Sequence, residues 1–290
     1  MLILEALFLV LFWAWVVSAA LFLRNTFLPR MPLSVSPALW HLPFEPVRFQ
    51  ATDGVSLSGW KITADAQAPW ILLCHGLGAN RADLLDIAAA LFRAGYNLLV
   101  FDFRAHGESR GLTSSFGWHE QRDLEGALAF LGSQQEVPER PYGVFGISMG
   151  GAVAIMVAAR DERLGAVAVD SIYANLEESI AHHMKLLYRL PRIPFLLFVS
   201  SAYRIRFGVW PRQMSPVSAI SKISPRALLI IHGGNDPRMP LEEASILFEA
   251  AREPKQLWIV RGADHLGGLQ ADPQAYVRKL VEFFDSSLKR

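Results

Sequence analysis

Five consecutive residues constrain this chain more than any others: Gly146, Ile147, Ser148, Met149 and Gly150. They sit between a short apolar run (Tyr142, Val144, Phe145) and an alanine-rich stretch that continues through Gly151 to Arg160. The run reads as a strand and the stretch as a helix, so the serine falls on the turn between them. Glycines two residues away on either side suit a strained turn of that kind, because a Cβ on either flank would strike the strand or the helix. Such a turn lifts a serine hydroxyl clear of the end of a sheet, where a nucleophile is needed. The pattern alone also arises by chance, so its weight depends on the rest of the chain.

With 290 residues, 52% of them hydrophobic, the chain can build one large domain around a sizeable core. A net formal charge of +1, with both signs interspersed and no run of Lys or Arg, gives no surface for nucleic acid. The single cysteine, Cys74, excludes an intrachain disulfide and a cysteine-ligated metal cluster, and it reads as a buried strand residue.

The N-terminus has a different character. From Leu2 to Leu23 the polar side chains are Glu5 and Ser18, and a helix of that length covers about 33 Å, enough to span the hydrocarbon core of a bilayer. The expected reading is a single transmembrane anchor over residues 1–24. A cleaved signal peptide competes, since Ser18, Ala19 and Ala20 are small, but a basic leading segment is missing. A buried helix of the folded domain is the third reading. Arg24 and Arg30 follow the span, so the positive-inside rule favours a cytoplasmic C-terminal domain. Residues 25–46 carry five prolines and no apolar periodicity, which predicts a linker, with the folded domain occupying 47–290.

Beyond the linker, Val47–Ala51 and Val55–Ile62 flank Asp53 and Gly54 and predict a hairpin. Apolar runs at 70–74, 98–103, 142–147, 166–169, 227–232 and 256–260 predict strands. Helical spacing appears over 81–94, 118–131, 149–160, 241–251 and 273–288. This alternation predicts a mostly parallel sheet with helices on both faces, whose site lies at the carboxyl ends of the strands. Ser148, Asp236 and His265 all follow strands on that edge.

Their chain order, and several further motifs, resemble the α/β-hydrolase superfamily over essentially everything from Val47 to Leu288. His75-Gly76-Leu77-Gly78 is similar to its H-G-x-G loop. Asp102-Phe103-Arg104-Ala105-His106-Gly107-Glu108-Ser109 is similar to its D-x-R-x-H-G-x-S segment. His232-Gly233-Gly234-Asn235-Asp236-Pro237-Arg238-Met239-Pro240 resembles the stretch that carries its acid. The resemblance implies an α/β-hydrolase fold with a helical cap inserted at about 171–223. It implies Ser148 as nucleophile, His265 as general base and Asp236 as the acid that orients the histidine, with the backbone amides of Leu77 and Met149 as the oxyanion hole. Asp170, after the strand at 166–169, is the alternative acid. His75, His106 and His232 are expected to brace loops. His182 and His183 are adjacent on a helix and point about 100° apart, so they cannot share a metal ion. No metal and no cofactor are required.

The insert is apolar and cationic together: Leu186, Leu187, Tyr188, Phe195, Leu197 and Phe198 accompany Lys185, Arg189, Arg192, Arg204, Arg206 and Arg212. No acidic residue falls between Ala181 and Pro225. That composition suits a membrane surface or a small-molecule acyl substrate, a lipid included. The expected activity is that of a membrane-anchored serine esterase or lipase acting on esters or thioesters, similar to the monoacylglycerol-lipase, lysophospholipase and thioesterase branches. A serine aminopeptidase or oligopeptidase shares the same elbow and would need acidic cap residues to hold an amine, for which Glu177 and Glu178 are the candidates. A non-catalytic binding domain of the same fold is the reading from a different class.

Overall fold

The computed structural model describes residues 2–138 and 140–289. Eight strands form one sheet: β1 (Glu45–Gln50), β2 (Ser56–Ile62), β3 (Trp70–Cys74), β4 (Asn97–Phe101), β5 (Tyr142–Ile147), β6 (Leu164–Asp170), β7 (Ala227–Gly233) and β8 (Lys255–Val260). Their order across the sheet is β1-β2-β4-β3-β5-β6-β7-β8. The first two strands form the antiparallel hairpin, with Gly54 in its turn at φ 84°, and β2 pairs antiparallel with β4. Every other pairing is parallel.

The helices are α1 (Leu2–Thr26), α2 (Leu85–Arg93), α3 (Glu120–Gly132), α4 (Met149–Ala158), α5 (Leu176–Tyr188), α6 (Arg192–Phe207), α7 (Pro216–Ala219), α8 (Leu241–Ala250), α9 (Gly268–Ala271) and α10 (Pro273–Leu288). Because the central strands are covered on both sides, their runs are apolar nearly throughout, with Asn97 and Asp170 at strand ends. Leu72, Cys74, Leu99, Phe101 and Val144 join the core on one face, while Ile71, Leu73, Leu98, Val100 and Phe145 join that on the other. Cys74 is fully buried, as its place in β3 predicts.

Two segments differ from expectation. The helical spacing at 81–94 resolves into a 3₁₀ turn, Arg81–Leu84, capped by Asn80 and Asp83, before α2 begins. The Pro-rich segment 25–46 is not a free spacer. Arg30 donates to the carbonyls of His106, Gly107, Ser109 and Gly111, Trp40 Nε1 donates to Asp86 at 2.9 Å, and Leu42 is buried. Prolines permit this, since an extended chain can lie along a surface and satisfy its carbonyls there.

Helix α1 also divides in two. It is long and apolar enough to cross a membrane. Its first half, from Ile3 to Trp13, is exposed and, apart from Glu5, apolar, whereas Ser18, Phe22 and Thr26 are buried against the domain. These three recur every four residues, so they share one helix face, and that face packs on α6.

The insert between β6 and β7 is the cap predicted at about 171–223. Pro191 caps α6 and Ile193 kinks its first turn, which separates α6 from α5 as the prolines require.

Candidate active site

The turn after β5 has the geometry its glycines demand. Ser148 sits at φ 49° and ψ −121°, a region that non-glycine residues occupy only when the surroundings enforce it. A Cβ on Gly146 would lie 2.6 Å from the Gly150 carbonyl oxygen, and one on Gly150 would strike the carbonyls of Cys74 and His75. The Ser148 amide donates to the Asp170 carbonyl at 2.8 Å, which ties the turn to β6.

His265 lies on the loop after β8, and its Nδ1 donates to Asp236 Oδ2 at 2.6 Å. A carboxylate only accepts, so the proton is on Nδ1 and Nε2 is left as the acceptor. The other Asp236 oxygen accepts from the Arg238 and Met239 amides at 2.8 and 2.9 Å. Burial alone would raise the Asp236 carboxyl, but the bonds from His265 and these amides outweigh it and hold it below the ordinary carboxylate range. Asp170 is not joined to His265. It accepts from Tyr276 Oη at 2.6 Å and Ser171 Oγ at 2.9 Å, and burial pushes its pKa up against the pull of those bonds. Asp264 is exposed.

Ser148 and His265 line one cavity of about 360 Å³, although no hydrogen bond joins them; such contacts often tighten only when substrate is bound. Met149, Gly76 and Leu77 line it as well. The Gly76 loop lies close enough that a Cβ there would meet the Ser148 Cβ at 3.4 Å. Among the described residues, neither the Leu77 nor the Met149 amide is taken up by another acceptor of the chain. Two such donors beside a serine can hold a negative oxygen.

Four further histidines, His75, His106, His182 and His232, brace the loops of this site. His75 Nε2 accepts from the Phe103 amide at 3.0 Å while Nδ1 donates to the Gly76 carbonyl at 2.7 Å. His106 Nε2 accepts from the Gly78 amide at 3.0 Å while Nδ1 donates to the Arg104 carbonyl at 2.8 Å. Both are single-proton tautomers, and burial pushes both pKa values below the ordinary range, so the rings stay neutral. They join the H-G-x-G loop to the D-x-R-x-H-G-x-S segment. His232 bonds to the Met239 carbonyl and His182 to that of Pro237, bracing the loop of Asp236. His183 bonds back to the Ser179 carbonyl, and its ring lies 87° from that of His182. Among the described residues no group of three or more His, Cys, Asp or Glu is placed to hold a metal ion.

Sequence reasoning missed Glu120. It is fully buried and accepts from Ser114 Oγ, the Ser115 amide, Ser115 Oγ and the Gly117 amide at 2.6 to 3.0 Å. These bonds shape the loop that places Phe116 in the cavity wall. Burial would raise the carboxyl, yet the bonds from Ser115 and Ser114 win and hold it low. A lowered folded-state pKa contributes stability that is present above the unfolded value of about 4.3 and lost as pH falls through the folded one. Glu120→Gln is therefore expected to destabilise the fold by about 1.5–3 kcal/mol at neutral pH. The gap should close in acid, as thermal melts of both proteins between pH 7 and pH 3 would register.

Also missed are the cavity residues of α1, namely Ser18, Leu21, Phe22 and Asn25. Ser18 and Asn25, seven positions apart, were the available signal, because they mark one face of an otherwise apolar helix.

A mostly parallel sheet, a polar cluster on the loops at its carboxyl edge and a helical cap above them define the class of α/β hydrolases. The chain belongs to the Alpha/beta hydrolase family, whose model matches residues 71–279. It is 29% identical to the uncharacterized protein YqkD of Bacillus subtilis over 235 residues, 80% of this chain and 76% of that one. It is likewise 29% identical to the uncharacterized protein YfhR of Escherichia coli over 252 residues, 84% of this chain and 81% of that one. Among solved structures, the esterase Pf2001 of Pyrococcus furiosus superposes with a TM-score of 0.75 at 26% identity, covering 90% of this chain and 99% of the esterase.

Proposed function

We propose that the protein is a membrane-anchored serine hydrolase that cleaves carboxylic ester or thioester bonds through an acyl-enzyme on Ser148. The observation that carries this reading is the grouping around one cavity of a serine on a strained turn, a histidine bonded at 2.6 Å to a buried carboxylate, and two unengaged amides. Ser148 Oγ attacks the carbonyl carbon while His265 Nε2 takes its proton, and Asp236 stabilises the imidazolium that forms. The oxyanion lies between the amides of Leu77 and Met149. Its collapse expels the alcohol or thiol, protonated by His265, and leaves the acyl group on Ser148. Water then attacks, giving up a proton to His265, and the acid departs as Ser148 recovers its hydrogen.

The acyl substrate is favoured by the cavity's lining, in which Leu176, Met184, Leu187 and Val199 from the cap face the site. The likeness to an esterase supports the same class. The aminopeptidase alternative lacks its amine holder: Glu178 is exposed and paired with Arg192 at 2.6 Å, and neither it nor Glu177 lines the cavity. The anchor is supported by a 24-residue helical span whose most apolar 18-residue stretch has a mean hydropathy of 2.5, and whose leading half lies outside the fold and bare. Arg24 and Arg30 favour a cytoplasmic domain.

The test is hydrolysis by the full chain in detergent of p-nitrophenyl esters of increasing length, beside aminoacyl p-nitroanilides. Turnover of the esters is expected. Turnover confined to the anilides would transfer the assignment to the peptidases.

A further inference from the structure

We infer that the C-terminal half of α1 is part of the substrate site, with Leu21 and Phe22 forming the wall that sets the acyl length the enzyme accepts. The inference rests on the acyl-ester reading above. A helix that served only as a tether would need no fixed contacts with the domain, yet this one is fastened from Trp15 to its C-terminal end. Trp15 Nε1 donates to Ser201 Oγ at 2.9 Å, and the Ser114 amide donates to the Thr26 carbonyl at 3.0 Å. Immediately beyond the helix, Arg30 takes up four carbonyls of the 106–111 loop.

Between these fastenings Phe22 is 6% exposed and packs against Phe116, Tyr203 and Phe207, with ring centroids 5.8 to 6.4 Å away. Phe116 and Tyr203 are in turn held by the Glu120 loop, since Tyr203 Oη donates to the Ser115 carbonyl at 2.9 Å. The position of Phe22 is thus built into the core. Leu21, one residue earlier, is half-buried and lines the same cavity as Ser148 and His265.

Two consequences follow from this placement. An acyl chain leaving the Ser148 carbonyl runs against α1, so the side chain at position 21 limits its length. The apolar, exposed half of α1 continues directly from this wall, so a chain drawn from a bilayer meets the cavity without crossing water. Removing residues 1–25 would take away one side of the cavity and uncover Phe116 and Tyr203.

The experiment uses the full-length protein in detergent with p-nitrophenyl esters from short to long. Leu21→Trp is expected to lower kcat/KM for the longest esters about tenfold relative to the shortest, and Leu21→Ala to move the preference toward longer chains. Val17→Trp, on an exposed position outside the cavity, should leave the profile unchanged. As a measurement independent of any variant's folding, wild-type protein is treated with a long-chain alkyl fluorophosphonate carrying a terminal diazirine, irradiated and digested. Cross-links from phosphonylated Ser148 to peptides covering 18–28 are expected. Phosphonylated Ser148 without such cross-links, together with superimposable length profiles, would overturn the role of α1 and leave the serine hydrolase reading intact. No phosphonylation and no ester turnover would instead remove the reading on which the inference stands.

Discussion

Ser148→Ala is expected to lower ester turnover on the order of a millionfold, leaving only the modest acceleration that binding and the oxyanion donors supply without a nucleophile. The fold should survive, because the bonds that set the turn come from the Ser148 backbone and from its glycine neighbours, not from Oγ. Asp236→Asn should cost about 10⁴-fold, since a carboxamide presents a donor to His265 Nδ1 and favours the tautomer whose Nε2 cannot accept a proton. The comparison separates two roles. In the proposed mechanism, serine loss removes the group that bonds to the substrate, and aspartate loss misorients the group that activates it. Steady-state rates and thermal melts of wild type and both variants would check the pair, and a variant with unchanged turnover would remove that residue from the mechanism.

Arg81→Leu is expected to produce the largest loss of stability. Arg81 is 3% exposed and its guanidinium meets Asp102 and Glu108, each at 2.5 Å, while lying 4.3 Å over the Trp60 ring. Asp102 is fully buried and also accepts from the Arg81 and Glu108 amides at 2.8 Å. Leucine would leave that buried carboxyl without its counter-ion, so that burial, which already pushes its pKa up, is opposed by the two amides alone. Breaking a buried pair in this way costs about 3–5 kcal/mol, or about 10 °C of melting temperature in a domain of this size. Differential scanning calorimetry would read the shift. A change below about 1 kcal/mol, the value of an exposed pair, would show that the cluster is solvated and that its buried appearance does not govern stability.

The strands, the hairpin and the placement of Ser148, Asp236 and His265 at one sheet edge were legible because each depends on a local pattern. Continuous apolar runs mark strands covered on both faces, and a glycine-flanked serine marks a turn on which a Cβ would collide. The bracing was not legible, because it is made of side chains reaching distant backbone. His106 supports Gly78 across 28 positions, and Glu120 gathers the 114–117 loop through donors that sequence shows only as two serines and two amides. The same blindness hid the second half of α1. Apolar residues facing lipid and apolar residues facing a protein cavity have identical composition, and only the neighbours Phe116, Tyr203 and Phe207 distinguish them. The Pro-rich segment misled in the opposite direction. Lack of periodicity excludes a helix or strand but does not exclude an extended chain fastened by Arg30 and Trp40.

Ser148 as an activated nucleophile is tested most directly by covalent labelling of the full-length protein with a fluorophosphonate, read by intact mass and peptide mapping. The expected result is one adduct per chain on the peptide containing Ser148, absent in Ser148→Ala and markedly slower in Asp236→Asn. No adduct, or an adduct that persists in Ser148→Ala, would contradict it.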